Sequence, residues 1–420
     1  MESISPNELA LELLNHCIRG SGWPEELAAA LVDEALDEDE EYARRASRAL
    51  FSVVVEKLAD LFEPRLCNVY AQLFAGVIER CLPELKASEL VSRYERVRCV
   101  RRVDFEPKNV FVLSRVTLGA DVAVTSIVLD AARKRWPKAK LWFVGPKKSW
   151  ELFEASVDVD WVPMAYGRSG LLRDRIAIYY ELKNALEAPG ALVLDPDSRL
   201  TQLGLLPVCD EDRHFVFESR SYGGDGMATL PELTRDWLHA VAGVEDAEPW
   251  LHPKYEFNFG SQPLTTLSLG VGENPAKRVP DPFEEQLVAL LADKAPLVMV
   301  DAGAPESEEE SRAIQALERS GHGQERCGLH QGPFASFAAM IAASRLYVGY
   351  DSAGQHVAAA LGIPLISIFG GAVNDRMRAR WRPHSSGPAW VLNADEADFS
   401  ELISQIDHLL TEGHLHEITP

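Results

Sequence analysis

Cysteine is scarce and scattered in this chain: six residues, at 17, 67, 81, 99, 209 and 327, with no CxxC pair and no Cys/His spacing suited to zinc. That argues against a disulfide framework and against a structural metal site, and it predicts reduced, mostly buried thiols. Positive charge is also in short supply. Lys and Arg number 42 against 64 Asp and Glu, a net charge of −22, which excludes a general nucleic-acid binder because a phosphate backbone needs clustered cations. No apolar run is long enough to span a bilayer. The N-terminal stretch MESISPNELALELLNH lacks the basic-then-apolar order of a signal peptide. The expectation from these absences is a cytoplasmic protein without a transmembrane segment.

What is present is a chain of 420 residues with 46% hydrophobic and 25% charged residues, enough for two or three domains with ordinary globular cores. Two local basic clusters stand out from the acidic background. One comprises Arg133, Lys134, Arg135, Lys138 and Lys140 with Lys147 and Lys148 beyond; the other is Arg376, Arg378, Arg380 and Arg382. They read either as solvated helix faces or as sites for anionic ligands.

Residues 1–105 carry apolar side chains at three- and four-residue spacing in ELALELLNHCI, PEELAAALVDEAL, YARRASRALFSVVVEKLADLF and CNVYAQLFAGVIERCL. This predicts an all-α accessory domain, with no catalytic constellation in it. From about residue 106 the texture changes. NVFVLSRV reads as a buried strand, VTSIVLDAARKRW as a helix ended by Pro137, and AKLWFVG as the next strand, which is a βαβ unit. Further strands are expected at 159–163, 191–194 and 214–218, with a helix at 174–186. An α/β domain over 106–255 accounts for them. After a Pro- and aromatic-rich linker at 250–263, alternation resumes over 256–420. Strands LTTLSLGV, PLVMVDAG, RLYVGYD, PLISIFG and AWVLN are interleaved with helices at 282–292, 307–320, 334–343, 354–361 and 399–411. The predicted fold class is therefore α/β: two tandem Rossmann-like domains after a helical region, with a ligand cleft between the carboxyl ends of two parallel sheets.

The most informative stretch is residues 347–370, YVGYDSAGQHVAAALGIPLISIFG. A strand ends at Asp351, Ser352–Ala353–Gly354 form a turn, and a small-residue helix follows. Ser352 is a suitable N-cap, Gly354 admits close approach of a ligand to the backbone, and the helix start offers free N–H groups to an anion. The string resembles the signature of the heptosyltransferase-type glycosyltransferases (glycosyltransferase family 9), in which D-[ST]-G-x-x-H precedes AAALG-x-P and a strand ending in FG or YG. Asp351, Ser352, His356, residues 358–362, Pro364 and Gly370 carry the match. Ala353 stands where the family has glycine, and Gly354 follows one residue later.

Weaker matches occur in the family's order. SRVTLGADVAVTSIVL resembles its opening strand and G-D loop, which puts the family's catalytic aspartate on Asp121, with Ala120 separating it from Gly119. A carboxylate at a helix start in the cleft suits a general base; as a bare residue, Asp121 also reads as an N-cap. GVGENPAKRVP resembles the loop whose lysine neutralises the donor diphosphate, implying Lys277, with Arg278 adjacent. VMVDAGAPESEEE resembles the region whose acidic residue holds the ribose, implying Glu306 or Glu308. HQGPF resembles the segment packed on the base, implying Gly332 and Pro333, with Phe334 beside them. LVLDPDSRL resembles an acceptor-side strand and loop, implying Asp197 and Arg199.

The resemblance implies the GT-B architecture and an inverting, metal-independent glycosyltransferase without a cofactor. Its donor would be a nucleotide sugar, typically ADP-heptose. Its acceptor is left open among a glycan such as a lipopolysaccharide core, a glycolipid and a protein. Asp351, Ser352, Ala353, Gly354 and His356 would form the donor site with Lys277. Peripheral membrane contact through the basic helix, and homo-oligomerisation through the N-terminal helices, stay open at this stage. So do two other functions: a nucleotide-sugar epimerase on the same fold, and a non-catalytic nucleotide-sugar-binding scaffold.

Overall fold

The computed structural model describes residues 4–20, 22–167, 170–259, 263–272 and 274–411; of the expected linker at 250–263, residues 260–262 lie outside that set. Six helices open the chain: α1 (Pro6–Arg19), α2 (Glu25–Ala35), α3 (Glu40–Arg48), α4 (Glu56–Asp60), α5 (Pro64–Cys81) and α6 (Ala87–Val97). A π-helical stretch, Ala49–Val55, joins α3 to α4 without a break. Their starts are written locally. Ser5 and Glu8 form a capping box on α1, Asp39 accepts from the first amides of α3, and Pro64 occupies the first turn of α5. Leu9, Leu13 and Cys17 of α1 and Leu66, Tyr70, Phe74 and Ile78 of α5 point inward at helical spacing. They do not close a core by themselves. The same buried cluster runs on into Phe111, Leu113, Val144 and Ile176 of the following α/β layer, so the helices are packed onto the first sheet.

That sheet follows with β1 (Asn109–Leu113), α7 (Leu118–Ala120), α8 (Ser126–Arg135), β2 (Lys140–Gly145), α9 (Lys147–Trp150), β3 (Val159–Pro163), α10 (Leu172–Ala185), β4 (Ala191–Asp195), β5 (His214–Val216) and α11 (Leu230–Ala242). All pairs are parallel, in the order β3-β2-β1-β4-β5. The second sheet comprises β6 (Leu264–Ser268), α12 (Phe283–Lys294), β7 (Leu297–Asp301), α13 (Glu308–Arg319), β8 (Cys327–His330), α14 (Phe334–Ala342), β9 (Leu346–Tyr350), α15 (Ala353–Ala360), β10 (Leu365–Phe369), α16 (Asp375–Trp381), β11 (Ala389–Asn393) and α17 (Phe399–Thr411). It too is all parallel, ordered β11-β10-β9-β6-β7-β8. Strands β4, β6, β9 and β10 are buried along their whole length; β4, β9 and β10 are accordingly near-continuous apolar runs, whereas β6 carries Thr265, Thr266 and Ser268. Edge strand β8 and helices α9, α11 and α16 were not apparent in the sequence.

Strand order reverses between β1 and β4 in one sheet and between β6 and β9 in the other. Ligands bind α/β sheets at the carboxyl ends of such switch points. Here the two switch points face each other across one cleft. The sheets are held in that relation by a shared apolar core joining Val122, Ile127 and Leu238 of the first to Phe337, Tyr347 and Val357 of the second. Gly119 allows the closest approach, since a Cβ there would lie 3.2 Å from His356 Cδ2. Buried Arg380 on α16 completes the junction, donating to the carbonyls of Ala228 and Gly224.

Candidate active site

The cleft between the switch points holds a cavity of about 490 Å³, within the range of small-molecule sites. From the second sheet it takes Asn274 and Lys277 after β6, and Ser352 and Ala353 after β9. Lys277 reaches over the end of β9, where its Nζ donates to both Asp351 Oδ2 and the Asp351 carbonyl at 2.8 Å. The second carboxylate oxygen of Asp351 accepts from Gln355, whose own carbonyl accepts from Ser367. Asp351 is thus a fixed anchor for the ammonium group.

Helix α15 begins at that point. Ser352 is in extended conformation and makes no side-chain cap to the helix, contrary to the expected N-cap. The first amides of α15 are therefore not closed off by a side chain, and together with the Lys277 ammonium they offer positive potential to an anion. Gly354 also departs from its expected role. It lies beneath the turn, where a Cβ would fall 2.7 Å from a ring carbon of Tyr347, so its small size serves packing. Ala353, the residue out of step with the family signature, is the one that faces the cavity.

His356 is fully enclosed, and burial pushes its pKa down to about 4, with the Asp351 carboxylate opposing and Lys277 reinforcing the shift. Its ring lies 5.7 Å from that of Trp381, a neutral support under the turn. In the unfolded chain this histidine binds a proton below about pH 6.5, whereas the folded chain resists protonation until about pH 4. Stability should therefore fall as pH drops through that window, by roughly 3 kcal/mol for this one group. Urea titrations between pH 7 and pH 4 on wild type and His356→Gln check this; an unchanged slope in the variant would discard it.

From the first sheet the cavity takes Arg115 and Thr117 after β1, Asp197 and Arg199 after β4, and Arg220 after β5. The Asp197 backbone is left-handed, with φ 66°, and Asp195 braces the turn by accepting from the Ser198 amide and the Thr201 hydroxyl. Asp197 pairs with Arg220 and accepts from Ser219. Arg115 is buried and donates to the Pro196 carbonyl and to Ser219; burial lowers its pKa to about 10. Asp197 and Arg199 thus stand on the cavity wall as expected, while Arg115 and Arg220 were overlooked. Each is a single arginine after a strand, which leaves little local trace.

Asp121 does not face the cleft. Its side chain is wholly buried behind the β1 loop, where Oδ1 accepts from the Arg115 amide and the Thr125 hydroxyl and Oδ2 from the Ser114 hydroxyl, each at 2.7 Å. Burial raises its pKa, opposed by these hydrogen bonds. The expectation of a carboxylate opening on the cleft is corrected: the residue presented to the cavity is Ala120, and Asp121 fastens the loop. Ala120, between Gly119 and Asp121, takes the helical position on the cavity side, and Asp121, the next residue, points to the inner face.

The remaining predicted residues sit along the same edge of the second sheet, outside this cavity. Glu306 and Glu308 are exposed after β7, and Gly332 and Pro333 are exposed after β8; a hydrogen bond from Gln331 to Glu310 ties the two loops together. The acidic side chain that reaches back toward the β6 loop is Glu309, which accepts from the Gly272 amide at 3.3 Å. Arg278 is committed to Glu284. In the basic clusters, Arg133 and Lys134 pair with Asp130, Arg135 with Glu106 and Lys140 with Asp160, while Arg376 and Arg378 pair with Asp225 and Asp395. Those charges are largely internal to the protein. Among the described residues, no cluster of three or more His, Cys, Asp or Glu side chains is arranged to hold a metal ion.

A third wall comes from the N-terminal helices. Ser52, Glu56, Lys57 and Asp60 line the cavity, so the region expected to be accessory is part of the site.

Residues 258–397 match the family model described as glycosyltransferase family 9 (heptosyltransferase). The second α/β domain is a glycosyltransferase family 9 domain. The solved structures agree with it in fold. Escherichia coli heptosyltransferase WaaC with ADP is 16% identical, with a TM-score of 0.51, covering 72% of this chain and 99% of that one. The glycosyl transferase family 9 structure from Veillonella parvula is 16% identical, with a TM-score of 0.52, covering 74% of this chain and 99% of that one. WaaC with ADP-2-deoxy-2-fluoro heptose is 17% identical at a TM-score of 0.52, covering 73% and 99%. No curated protein matches the chain. The two parallel sheets and the cleft between them are the GT-B architecture of the glycosyltransferase family 9 enzymes. No helix among the described residues is long and apolar enough to cross a membrane.

Proposed function

We propose that this chain transfers a sugar from a nucleotide donor to an acceptor hydroxyl, by a single inverting displacement and without a metal. ADP-heptose is the first donor to test, and a lipopolysaccharide-type glycan or glycolipid the first acceptor, ahead of a protein. The observation that carries the reading is the meeting of the Lys277 ammonium with the open start of α15 at one switch point, facing the arginines of the other. A diphosphate there would lie on a cation and helix amides. Those groups would stabilise the leaving nucleoside diphosphate, a task for fixed dipoles and cations. Arg115, Arg199 and Arg220 would orient the acceptor side. Residues 306–309 and 332–333, one sheet edge further, suit the nucleoside.

A panel of ADP-, UDP- and GDP-sugars read by thermal shift tests the donor, since a ligand at a hundred times its Kd contributes about 2.7 kcal/mol. Anomeric configuration by NMR tests inversion. A chain that none of these donors stabilises would sink the reading. The withdrawal of Asp121 from the cleft favours one second reading, a protein that binds a nucleotide sugar without turnover; donor binding with no transfer across the acceptor panel would select it. Self-association is proposed through α1 and the residue before its cap, where Ile4, Leu11 and Ile18 recur every seven residues and stay exposed.

A further inference from the structure

With Asp121 turned inward, the proton of an acceptor hydroxyl needs another destination. The cavity's other carboxylates are mostly committed. Asp197 is held by Arg220 and Ser219, and Asp351 by Lys277 and Gln355. Asp60, at the last turn of α4, differs from both. Among the described residues no hydrogen bond or ion pair engages its carboxylate, while the guanidinium groups of Arg199 and Arg220 act on it through space. Burial raises its proton affinity, and those two arginines, with Lys57, oppose the rise as Glu56 adds to it. The net direction is upward, and a carboxylate on the cavity wall with raised proton affinity is suited to accept a proton.

The backbone after Asp60 is fixed from the opposite side of the cleft. The Leu61 carbonyl accepts from Asn374 Nδ2 at 3.1 Å, and the Phe62 carbonyl from Arg376 Nη1 at 2.9 Å. The Phe62 ring meets Trp381 edge-to-face, with centroids 6.3 Å apart at 82°. Phe62 has φ 52°, a conformation costly for a side chain of this kind that persists only where its surroundings enforce it. Asp60 is thus carried by the helical region, latched to the second domain and faced by arginines of the first. All three parts of the chain converge on it.

We propose that Asp60 is the catalytic carboxylate that takes the acceptor proton, so that the N-terminal helices complete the active site. This rests on the glycosyltransferase reading above. The acceptor oxygen forms its bond to the anomeric carbon as the O–H proton passes to Asp60. The bond from that carbon to the diphosphate oxygen breaks, and its electron pair leaves with the nucleoside diphosphate toward Lys277. Protonated Asp60 then returns its proton to water after product release. Arg199 and Arg220 favour its ionised form against burial, which favours the neutral one.

The experiment begins with wild type, whose nucleotide binding and transfer must both be measured. Asp60→Asn should then lower kcat for transfer by about 10²–10⁴-fold, with the Kd for nucleotide and the melting temperature nearly unchanged. In Asp60→Ala, added formate should restore part of the lost rate, an effect it cannot have if the residue only supports the fold. Near-wild-type kcat in Asp60→Asn overturns this inference and leaves the glycosyltransferase reading intact. Loss of nucleotide binding in both variants also overturns it, since it marks Asp60 as structural. A wild-type chain that transfers nothing overturns both.

Discussion

Alanine in place of Lys277 is expected to weaken nucleotide-diphosphate binding by about 10- to 100-fold, the range for losing hydrogen bonds to a charged group. The same change should destabilise the fold. The Lys277 side chain is only 16% exposed and that of Asp351 only 5%, so removing the ammonium leaves a buried carboxylate without its cation. Breaking such a pair costs roughly 3–5 kcal/mol when burial is complete, and the residual exposure of Lys277 places this case toward the lower end. The two effects separate in a double variant. Lys277→Met with Asp351→Asn removes the unpaired charge and should regain much of the stability, yet binding should stay weak. Titration calorimetry with ADP and urea denaturation of the single and double variants measure both. Unchanged ADP affinity in Lys277→Ala would remove the lysine from the donor site.

Asp121→Ala should cost roughly 3 kcal/mol or more, because three buried donors lose their acceptor together and each unsatisfied group costs about 1–3 kcal/mol. The donors are the Ser114 and Thr125 hydroxyls and the Arg115 amide. Since Arg115 is itself on the cavity wall, transfer should fall too, in step with the loosened β1 loop. Asp121→Asn keeps a carbonyl acceptor but brings an amide against one set of donors, so its loss should be intermediate. Denaturant midpoints alongside transfer rates distinguish this from direct catalysis. An Asp121→Asn chain as stable as wild type, binding nucleotide normally but unable to transfer, would return the residue to the role its family position implies.

These two sites differ in how far sequence alone reaches them. Lys277 and Asp351 are legible because each belongs to a short local pattern, a loop after β6 and a strand end before α15, and local patterns survive without knowledge of packing. Asp121 occupies an equally legible motif, but one extra residue turns a helical side chain by about 100°, enough to exchange cleft for core. Ala353 and Gly354 show the same displacement in the second domain. Glu306 and Glu308 fell within one to three residues of Glu309, the side chain that reaches toward the β6 loop.

Among the elements, β1, β4, β9 and β10 announce themselves because strands buried on both faces are mostly apolar. Strand β8, CGLH, lies at a sheet edge with only partial burial along its middle, and so lacks that mark. Helix α11 has a capping box at Thr229 and Glu232 that would have located it. The helical start and the order of two Rossmann-like units were likewise written in composition and periodicity, which report on local conformation and burial. Tertiary structure alone decided that the helical region shares a core with the first sheet, that Arg220 meets Asp197 while Arg115 reaches it through Ser219, and that Asp60 and Lys277 line one cavity. Those contacts join positions up to about three hundred residues apart, as from Phe62 to Arg376. Periodicity shows which face of a helix is polar, but which charges that face will meet depends on how the sheets close over it.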